Sequence, residues 1–450
     1  MELEHSQSNV TGTQTIQIIR QRLGHLGFIG RHKARAQDFT RQRSLPFARV
    51  ITLLLQKTAR SLQLHLNDFF DRLDRGFTTA TASAWCQARL KLRHTAFIEL
   101  NEQAILEPVY GAESRFAVRR WHGHRLLAID SSLLYLPNEQ ALGEEFGWVD
   151  CRNQKGECGR YVQGRLSVLT DVLNRLALET LLVSSAVGER ALAMEHVNRL
   201  GAEDVALMDR GFAGYELWAR LLASGRHFVC RCGRGSFGIV GRLMVENQPG
   251  RSLTMRLRPS HGAVGPMRQK GLPETITVRF VTLRLNTGEL EVLASSLLDE
   301  QKHPTQSFGE VYGYRWGVET YYGLLKGRLD LENFSGQSVE AVRQDVYACV
   351  LLSNLETILT APTQTEMAQR AAVEATPAKQ VNHAVGFHTI KSHLIDLLLS
   401  REPVEEVIEK MRGLFGGNPV VKRPGRKSPR RKTSAWRSYR FQRYIRKVVF

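Results

Sequence analysis

The sequence LLAIDSS at residues 126–132 decides the fold, because a short apolar run leads there into an acid, Asp130. The pattern returns in VALMDRGF at residues 205–212, where Asp209 follows the apolar run. Short apolar runs bounded by turn-forming residues are typical of buried strands. The two runs therefore predict two short strands that each lead into a carboxylate at an edge of a sheet, and residues 131–136 are predicted to continue the first strand.

Strands and helices alternate around these two runs. Two further strands, at 164–170 and 176–183, are predicted on either side of a turn. A helix at 189–200, a helix at 215–222 and a strand at 227–231 complete the pattern. Such alternation favours a mixed α/β sheet.

The chain before this region is predicted to be helical. Apolar residues recur at helical spacing over 16–26, after Pro46, over 62–73 and over 82–106. Basic residues on these helices favour a small DNA-binding module. A helical scaffold with a solvated basic face is the alternative.

Two further regions are predicted after residue 232, a β insertion and then a helical region. Many glycines and prolines, an alternating run near residue 278 and a hairpin-like turn at Asn286 to Gly288 predict a β insertion. Ser307-x2-Glu310 is a capping box that predicts one long helix to about residue 329. A second helix is predicted over 339–359, followed by a loop or marginal helix over 360–380.

The composition excludes several classes of protein. With 42% hydrophobic residues in 450, the chain can build buried cores and is not a disordered protein. Its apolar runs are shorter than the about 18 residues that a membrane-spanning helix needs, and its N-terminus lacks a signal-peptide pattern. Six cysteines without a Cys-x2-Cys pair argue against a disulfide framework and a classical zinc site. We therefore expect a cytoplasmic protein.

The net charge of +18 is concentrated in two segments. Residues 17–60 carry +9 and residues 422–450 carry +12, which leaves −3 for the rest of the chain. Basic patches of this kind are typical of proteins that bind nucleic acid. A solubility tail or an acidic membrane surface is the alternative, but aromatic residues within the second segment could stack on bases and favour nucleic acid.

A third acid, Glu319, lies on the predicted long helix. At a helical rotation of about 100° per residue, three other residues fall on the same stripe as Glu319, namely Tyr312, Arg315 and Lys326. A solvated face carrying an Arg–Glu pair is the alternative. Large apolar residues on the same helix indicate that it is buried, so the polar stripe is predicted to face a cleft.

The other signals have simpler explanations. An acid after a strand is most often a turn residue or a helix cap. The sequence GRGSFG at 233–238 matches a dinucleotide-binding motif, but the acid that such a motif needs about 20 residues later is missing. The pairs His122-x-His124 and Cys230-x-Cys232 lack a partner pair at the spacing of metal ligands.

The three acids and the helical stripe resemble the signature of the DDE transposases of the IS-four family of bacterial insertion sequences. The residues that carry the resemblance are Asp130, Asp209 and the motif Tyr312-x2-Arg315-x3-Glu319-x6-Lys326. The resemblance covers most of the chain. It implies an α/β fold with an RNase H-like catalytic core, a mainly β insertion in that core, and a helical N-terminal DNA-binding region.

These expectations divide the chain into five parts. They are a DNA-binding region at 1–110, the first part of the core at 111–232, the insertion at 233–303, the helical second part of the core at 304–400, and a basic tail at 401–450.

The resemblance also implies a function. A transposase of this family binds the terminal inverted repeats of its element and performs metal-dependent cleavage and strand transfer of double-stranded DNA at transposon ends and target. Mg²⁺ or Mn²⁺ would be held by Asp130, Asp209 and Glu319. The DNA would be contacted by Tyr312, Arg315 and Lys326. We expect a homodimer in the synaptic complex, no membrane partner, and a place on the nucleoid in the bacterial cytoplasm.

The residue types suit this chemistry. Phosphodiester hydrolysis with two metal ions about 4 Å apart needs carboxylates that hold both ions. Carboxylate oxygens are ligands that Mg²⁺ prefers. Arginine and lysine bind phosphates, arginine through two hydrogen bonds and lysine as a point charge.

One feature departs from the family pattern. Members that cut through a DNA hairpin flip a base onto a tryptophan of the insertion, but residues 233–300 contain no tryptophan. We therefore assign no base-flipping residue.

The sequence leaves two other functions open. One is a metal-dependent nuclease with the same core that does not join strands. The other is a DNA-binding repressor that has lost catalysis, although the three intact acids weigh against it.

Overall fold

The computed structural model describes residues 2–41, 43–57, 61–74, 76–112, 114, 116–152, 158–285 and 288–422. The basic segment at 422–450, except Lys422, lies outside the described residues, as does most of the predicted turn at Asn286 to Gly288. The chain forms two compact units. The first contains Met1–Val118, Leu134–Gln163 and Leu324–Phe450, and the second contains Arg119–Leu133 and Gly164–Gly323.

The helices and strands follow in chain order. The helices are α1 Glu2–Gly24, α2 Leu26–His32, α3 Phe47–Gln56, α4 Leu62–Asp74, α5 Ala82–Arg89, α6 Thr95–Asn101, α7 Glu107–Tyr110, α8 Gln140–Phe146, α9 Glu189–His196, α10 Tyr215–Ala223, α11 Gly238–Glu246, α12 Val264–Gln269, α13 Ser307–Tyr314, α14 Trp316–Gly327, α15 Val339–Val373, α16 His383–Leu398 and α17 Val404–Gly417. The strands are β1 Arg125–Leu136, β2 Trp148–Arg152, β3 Cys158–Asp171, β4 Leu176–Ser184, β5 Asp204–Met208, β6 His227–Cys232, β7 Ser252–Leu257, β8 Ile276–Arg284, β9 Leu290–Ser295, β10 Lys379–Gln380 and β11 Val420–Val421.

The first unit is built around α15. This helix packs against α1, α3, α6, α16 and α17. Its residues from Cys349 to Leu355 are all buried. A helix that is covered on all sides needs apolar residues around its whole circumference, and five of these seven residues are apolar, the exceptions being Ser353 and Asn354.

Several predicted helix boundaries in this unit were wrong. The predicted helix over 82–106 is broken after α5, where the backbone of Lys91 and Arg93 hydrogen-bonds to Ala34 and His32 instead of continuing the helical ladder. The stretch 360–373, predicted as a loop or marginal helix, continues α15 through Pro362. Part of the predicted basic tail, 404–417, forms α17.

A buried charge cluster joins α5 to α15. The guanidinium of Arg89 donates to Asp345 Oδ1 at 2.8 Å and to the Ala341 carbonyl at 2.8 Å. Burial alone would raise the pKa of Asp345, but Arg89 and Lys57 outweigh burial and hold that pKa below its usual value. The charge of Asp345 therefore depends on cations that are themselves fixed by the fold.

The second unit is built on a mixed sheet. In the described residues its strands follow the order β3-β1-β5-β6-β9-β8-β7, and β4 pairs with β3. Strands β1, β5 and β6 are parallel to one another, whereas the pairs β6–β9, β9–β8 and β8–β7 are antiparallel. The prediction of a mixed α/β sheet is confirmed. Helix α8 and strand β2, which belong to the first unit, were not predicted.

The segment 233–303 contains three strands and also the helices α11 and α12. Its strand β9 pairs with β6 through Val229 to Ser295 and Cys232 to Val292. The segment therefore extends the sheet of the second unit at β6. None of the helices in the described ranges is both long and apolar enough to cross a membrane.

The Arg89–Asp345 cluster generates a stability prediction. Replacing Arg89 with Met leaves Asp345 as a buried carboxylate without its main partner, and we expect the free energy of unfolding to fall by about 3–5 kcal/mol. Arg343→Met is the control, because Arg343 pairs with the more exposed Glu145 and should cost about 0–1 kcal/mol. Urea unfolding of both variants measures the difference. Equal losses would contradict the assigned role of Arg89.

Candidate catalytic site

Two of the predicted acids lie side by side in the sheet. Strand β1 pairs with β5 in parallel, and the last paired residues are Ala128 and Leu207. Continuing this register by two residues places Asp130 opposite Asp209. Asp130 ends the apolar run but not the strand, because β1 continues to Leu136 as predicted. It lies where β1 loses β5 as a neighbour, since the chain turns away after Asp209.

Asp209 is held by the turn that it begins. Its Oδ1 accepts a hydrogen bond from the Gly211 backbone N–H at 2.7 Å. Asp130 makes a similar local contact, because its Oδ1 accepts the N–H of Ser131 at 2.9 Å. Each carboxylate is thus oriented by the backbone that follows it.

The third strand of the parallel set contributes a residue that the sequence analysis missed. Met208 of β5 pairs with Cys230 of β6, so the next residue, Arg231, occupies the level of Asp209. Arg231 forms a 2.8 Å ion pair with Glu291 of β9. Burial raises the pKa of Glu291, and the charges of Arg231 and Arg315 oppose that rise. The signal was available in sequence as a charged residue after the apolar run 228–230.

The predicted long helix is two helices, α13 and α14, joined at Arg315. At the junction the Arg315 N–H donates to the Tyr312 carbonyl and the Val318 N–H to the Arg315 carbonyl, so the backbone bonds span three residues instead of four. Arg315 keeps helical backbone angles, with φ of −53° and ψ of −33°. The prediction of one uninterrupted helix was wrong.

Arg315 and Glu319 are directly paired. Arg315 Nη2 lies 2.9 Å from Glu319 Oε1, and the Arg315 side chain is 6% exposed. The guanidinium also lies over the rings of Tyr312 and Trp316, at 5.6 and 5.0 Å from their centroids. Burial acts to lower the pKa of Arg315, but the negative groups around it, including Glu319 and Asp130, outweigh burial and raise it.

Charges from three residues act on Asp130. Burial raises the pKa of Asp130 to about 6, and the negative charges of Asp209 and Glu319 add to the rise, while Arg315 opposes it. Electrostatic interaction falls with distance, so these influences show that the three acids and Arg315 share one neighbourhood. The structure therefore brings together four of the six residues singled out in the sequence, and Tyr312 lies beside them with its ring under the Arg315 guanidinium.

Tyr312 and Lys326 differ in burial and in their contacts. Tyr312 is 4% exposed, and burial raises its pKa well above the usual value. Its hydroxyl is buried and has no hydrogen-bond partner among the described residues. Lys326 lies on the last turn of α14, in the first unit, where its Nζ is 3.5 Å from Glu332 Oε1.

The carboxylates are not gathered into a closed metal-binding group. In the part of the chain that the structure describes, no set of three or more His, Cys, Asp or Glu side chains is arranged so as to hold a metal ion. The donor chemistry of the acids nevertheless fits a hard divalent cation, because all three offer carboxylate oxygens and the negative charges of Asp209 and Glu319 act on Asp130.

Comparison with known proteins gives the family. The model of the family described as Transposase DDE domain matches residues 121–355, which include Asp130, Asp209 and Glu319. This match covers more than half of the chain, so the chain belongs to the DDE transposase family.

Two proteins illustrate the similarity. The chain is 24% identical over 242 residues to the transposase InsG for insertion sequence element IS4 of Escherichia coli (strain K12), a match that covers 52% of each protein. The chain thus spans about half the length of this relative. A cryo-EM structure of the piggyBac transposase synaptic complex with hairpin DNA aligns with a TM-score of 0.41 and 11% identity, over 92% of this chain and 87% of the other.

The charges around Asp130 generate a pH prediction. Because the folded pKa of Asp130 is about 6, above its usual value of 3.8, the folded state binds a proton between these pH values that the unfolded state lacks. Protonation of Asp130 therefore makes the folded protein more stable as pH falls from about 6 towards 3.8. Arg315→Met should lower the free energy of unfolding by about 1–3 kcal/mol at pH 7, because it removes the cation that faces the acids.

The loss should shrink at pH 5, where protonation of Asp130 relieves the repulsion. Arg315→Lys retains the charge and serves as the control, with a smaller loss at both pH values. Denaturant unfolding at the two pH values makes the comparison. A loss for Arg315→Met that is equal at pH 7 and pH 5 would contradict the charge balance described here.

Proposed function

We propose that the protein is a transposase that binds the terminal inverted repeats of an insertion sequence and catalyses DNA cleavage and strand transfer in cut-and-paste transposition. One observation carries the proposal. Asp130 and Asp209 occupy matching positions on neighbouring parallel strands, and the charges of Asp209 and Glu319 both act on Asp130. Membership of the DDE transposase family supports the same conclusion.

Asp130, Asp209 and Glu319 would hold Mg²⁺ or Mn²⁺. Three mutually repelling carboxylates are destabilising unless a cation compensates them, and Arg315 supplies one positive charge. When bound, divalent ions would activate the attacking water or hydroxyl and stabilise the leaving oxygen. The protein residues orient the carboxylates: backbone N–H groups fix Asp130 and Asp209, and Arg315 fixes Glu319.

The cations beside the acids would bind the phosphates of the cleaved strand. Arg315 is held by Glu319 and by the rings of Tyr312 and Trp316, which keeps its planar fork preorganised for a phosphate. Lys326 would contact DNA as a point charge. The unpartnered hydroxyl of Tyr312 is available to donate to a phosphate oxygen once the site is engaged.

Double-stranded DNA at the transposon ends and at the target would be the partner. In the N-terminal basic segment some cations serve the fold: Arg20 donates to the carbonyls of Asp396 and Leu397 at the end of α16, and Arg31 pairs with Glu99. The exposed Arg41 and Arg43, with the segment 422–450, would contribute to DNA binding. We further propose a homodimer in the synaptic complex and action on nucleoid DNA in the bacterial cytoplasm.

The sheet of the second unit would be the RNase H-like core. Its parallel strands β1, β5 and β6 carry Asp130, Asp209 and Arg231 at one level. A nuclease that does not join strands would use the same acids, and a silent repressor would need none of them. Strand joining to a target plasmid separates transposase from nuclease, and specific binding without cleavage would indicate the repressor.

The carboxylates generate the central functional prediction. Asp130→Asn, Asp209→Asn and Glu319→Gln should each reduce Mg²⁺-dependent cleavage of a terminal-repeat duplex by at least about 100-fold, because an amide cannot replace an anionic metal ligand. DNA affinity, measured by gel shift, should change little. Glu310→Gln is the matched control, since Glu310 is an exposed acid of α13 that pairs with Tyr314. Near-normal cleavage by any of the three variants would remove that residue from the site.

A further inference from the structure

A buried tyrosine next to the candidate site contacts the backbone of Asp130. Tyr322 lies on α14, three residues after Glu319, and is 7% exposed. Its hydroxyl lies 2.8 Å from the carbonyl oxygen of Asp130 and 3.0 Å from the carbonyl oxygen of Leu166 on β3. The phenol has one proton, so the two carbonyls share a single donor.

This contact links the elements that carry two of the acids. Residues three apart on a helix lie on the same face, so Glu319 and Tyr322 are directed towards the same side of α14. The Tyr322 hydroxyl contacts the backbone carbonyl of Asp130, the residue of β1 that carries one of the three acids. The distance from helix to strand at this point is therefore set by a hydrogen bond to Asp130 itself.

Two other contacts restrict the same geometry. A side chain at Gly317 would lie 3.2 Å from Val172 Cβ, so α14 approaches the turn after β3 closely at its first residues. Ser167 Oγ lies 3.4 Å from the Asp130 carbonyl oxygen and 2.9 Å from His196 Nε2. The Tyr322 hydroxyl is the shorter of the two side-chain contacts to that carbonyl.

We propose that Tyr322 is a positioning residue that fixes Glu319 relative to Asp130 by holding α14 to β1 and β3. This inference rests on the proposed function, because it assigns Tyr322 a role in the geometry of the metal-binding acids. Tyr322 itself is not a ligand and does not reach the DNA. Removing the Tyr322 hydroxyl should therefore raise the Mg²⁺ concentration that cleavage requires, because Mg²⁺ demands strict coordination geometry.

The test uses Tyr322→Phe in the full-length protein. Single-turnover cleavage of a terminal-repeat duplex is measured over a range of Mg²⁺ concentrations, with DNA affinity and thermal unfolding measured in parallel. We expect cleavage about 10- to 100-fold slower, because a small displacement of reacting groups has an effect of this size. The Mg²⁺ concentration for half-maximal cleavage should rise at least about 3-fold, since Mg²⁺ demands near-ideal geometry. DNA affinity should be unchanged.

Tyr215→Phe is the matched control. The Tyr215 hydroxyl donates to the Pro273 carbonyl at 3.0 Å, so this variant also loses a phenol-to-carbonyl hydrogen bond in the second unit. It should lose a similar amount of stability but keep its Mg²⁺ dependence. If the two variants show the same cleavage rate and the same Mg²⁺ dependence, Tyr322 has only a structural role and the inference is wrong.

Two further outcomes also test the inference. If Tyr322→Phe does not fold, Ser167→Ala replaces it, with an expected 2- to 5-fold rate loss, estimated as about 1 kcal/mol for one weaker hydrogen bond, and a higher Mg²⁺ requirement. Unchanged kinetics in that variant would overturn the inference. A wild-type protein that does not cleave in Mg²⁺ would instead overturn the proposed function, and the inference with it.

Discussion

The parallel pairing of β1 with β5 is the constraint on which the candidate site depends. Its register carries Asp130 and Asp209 to the same level of the sheet, and the pairing of β5 with β6 adds Arg231 at that level. A shift of one residue in either strand would turn one carboxylate to the opposite face. The buried apolar runs before each acid make such a shift costly, because they would turn with it.

Placing three carboxylates near one another destabilises the charged form of Asp130, and a cation of the fold compensates this only in part. The pKa of Asp130 rises to about 6, and Arg315 is the cation that opposes this rise. Arg315 is itself fixed by Glu319 and by two aromatic rings. The residues thus form a charge balance in which the protein supplies one positive charge and a divalent cation would supply more. This charge balance supports the proposal that the acids form a catalytic site.

The sequence predicted most of the sheet because apolar runs and their boundaries are local signals. Strands β1, β4, β5 and β6 were found within a few residues of their observed limits. The break at Arg315 was not predictable, because its backbone angles stay helical and only the hydrogen-bond pattern changes. The continuation of α15 through Pro362 depends on packing against other helices, and sequence periodicity does not report such packing.

For the site residues too, local patterns were predictable from the sequence and tertiary packing was not. Helical phase places Glu319 and Arg315 on one face, and the structure pairs them. The same phase groups Lys326 with them, but Lys326 pairs with Glu332 in the first unit. Arg231 and Tyr322 were missed because their relation to Asp130 depends on strand pairing and on helix docking. Neither relation has a signature in a single sequence.

The most direct test of the account is a crystal structure of the protein with Mn²⁺ and a terminal-repeat oligonucleotide. The account predicts an anomalous difference peak whose ligands are carboxylate oxygens of Asp130, Asp209 and Glu319, with Arg315 beside a DNA phosphate. Ordered DNA at the site without such a peak, or a peak bound by other residues, would contradict it.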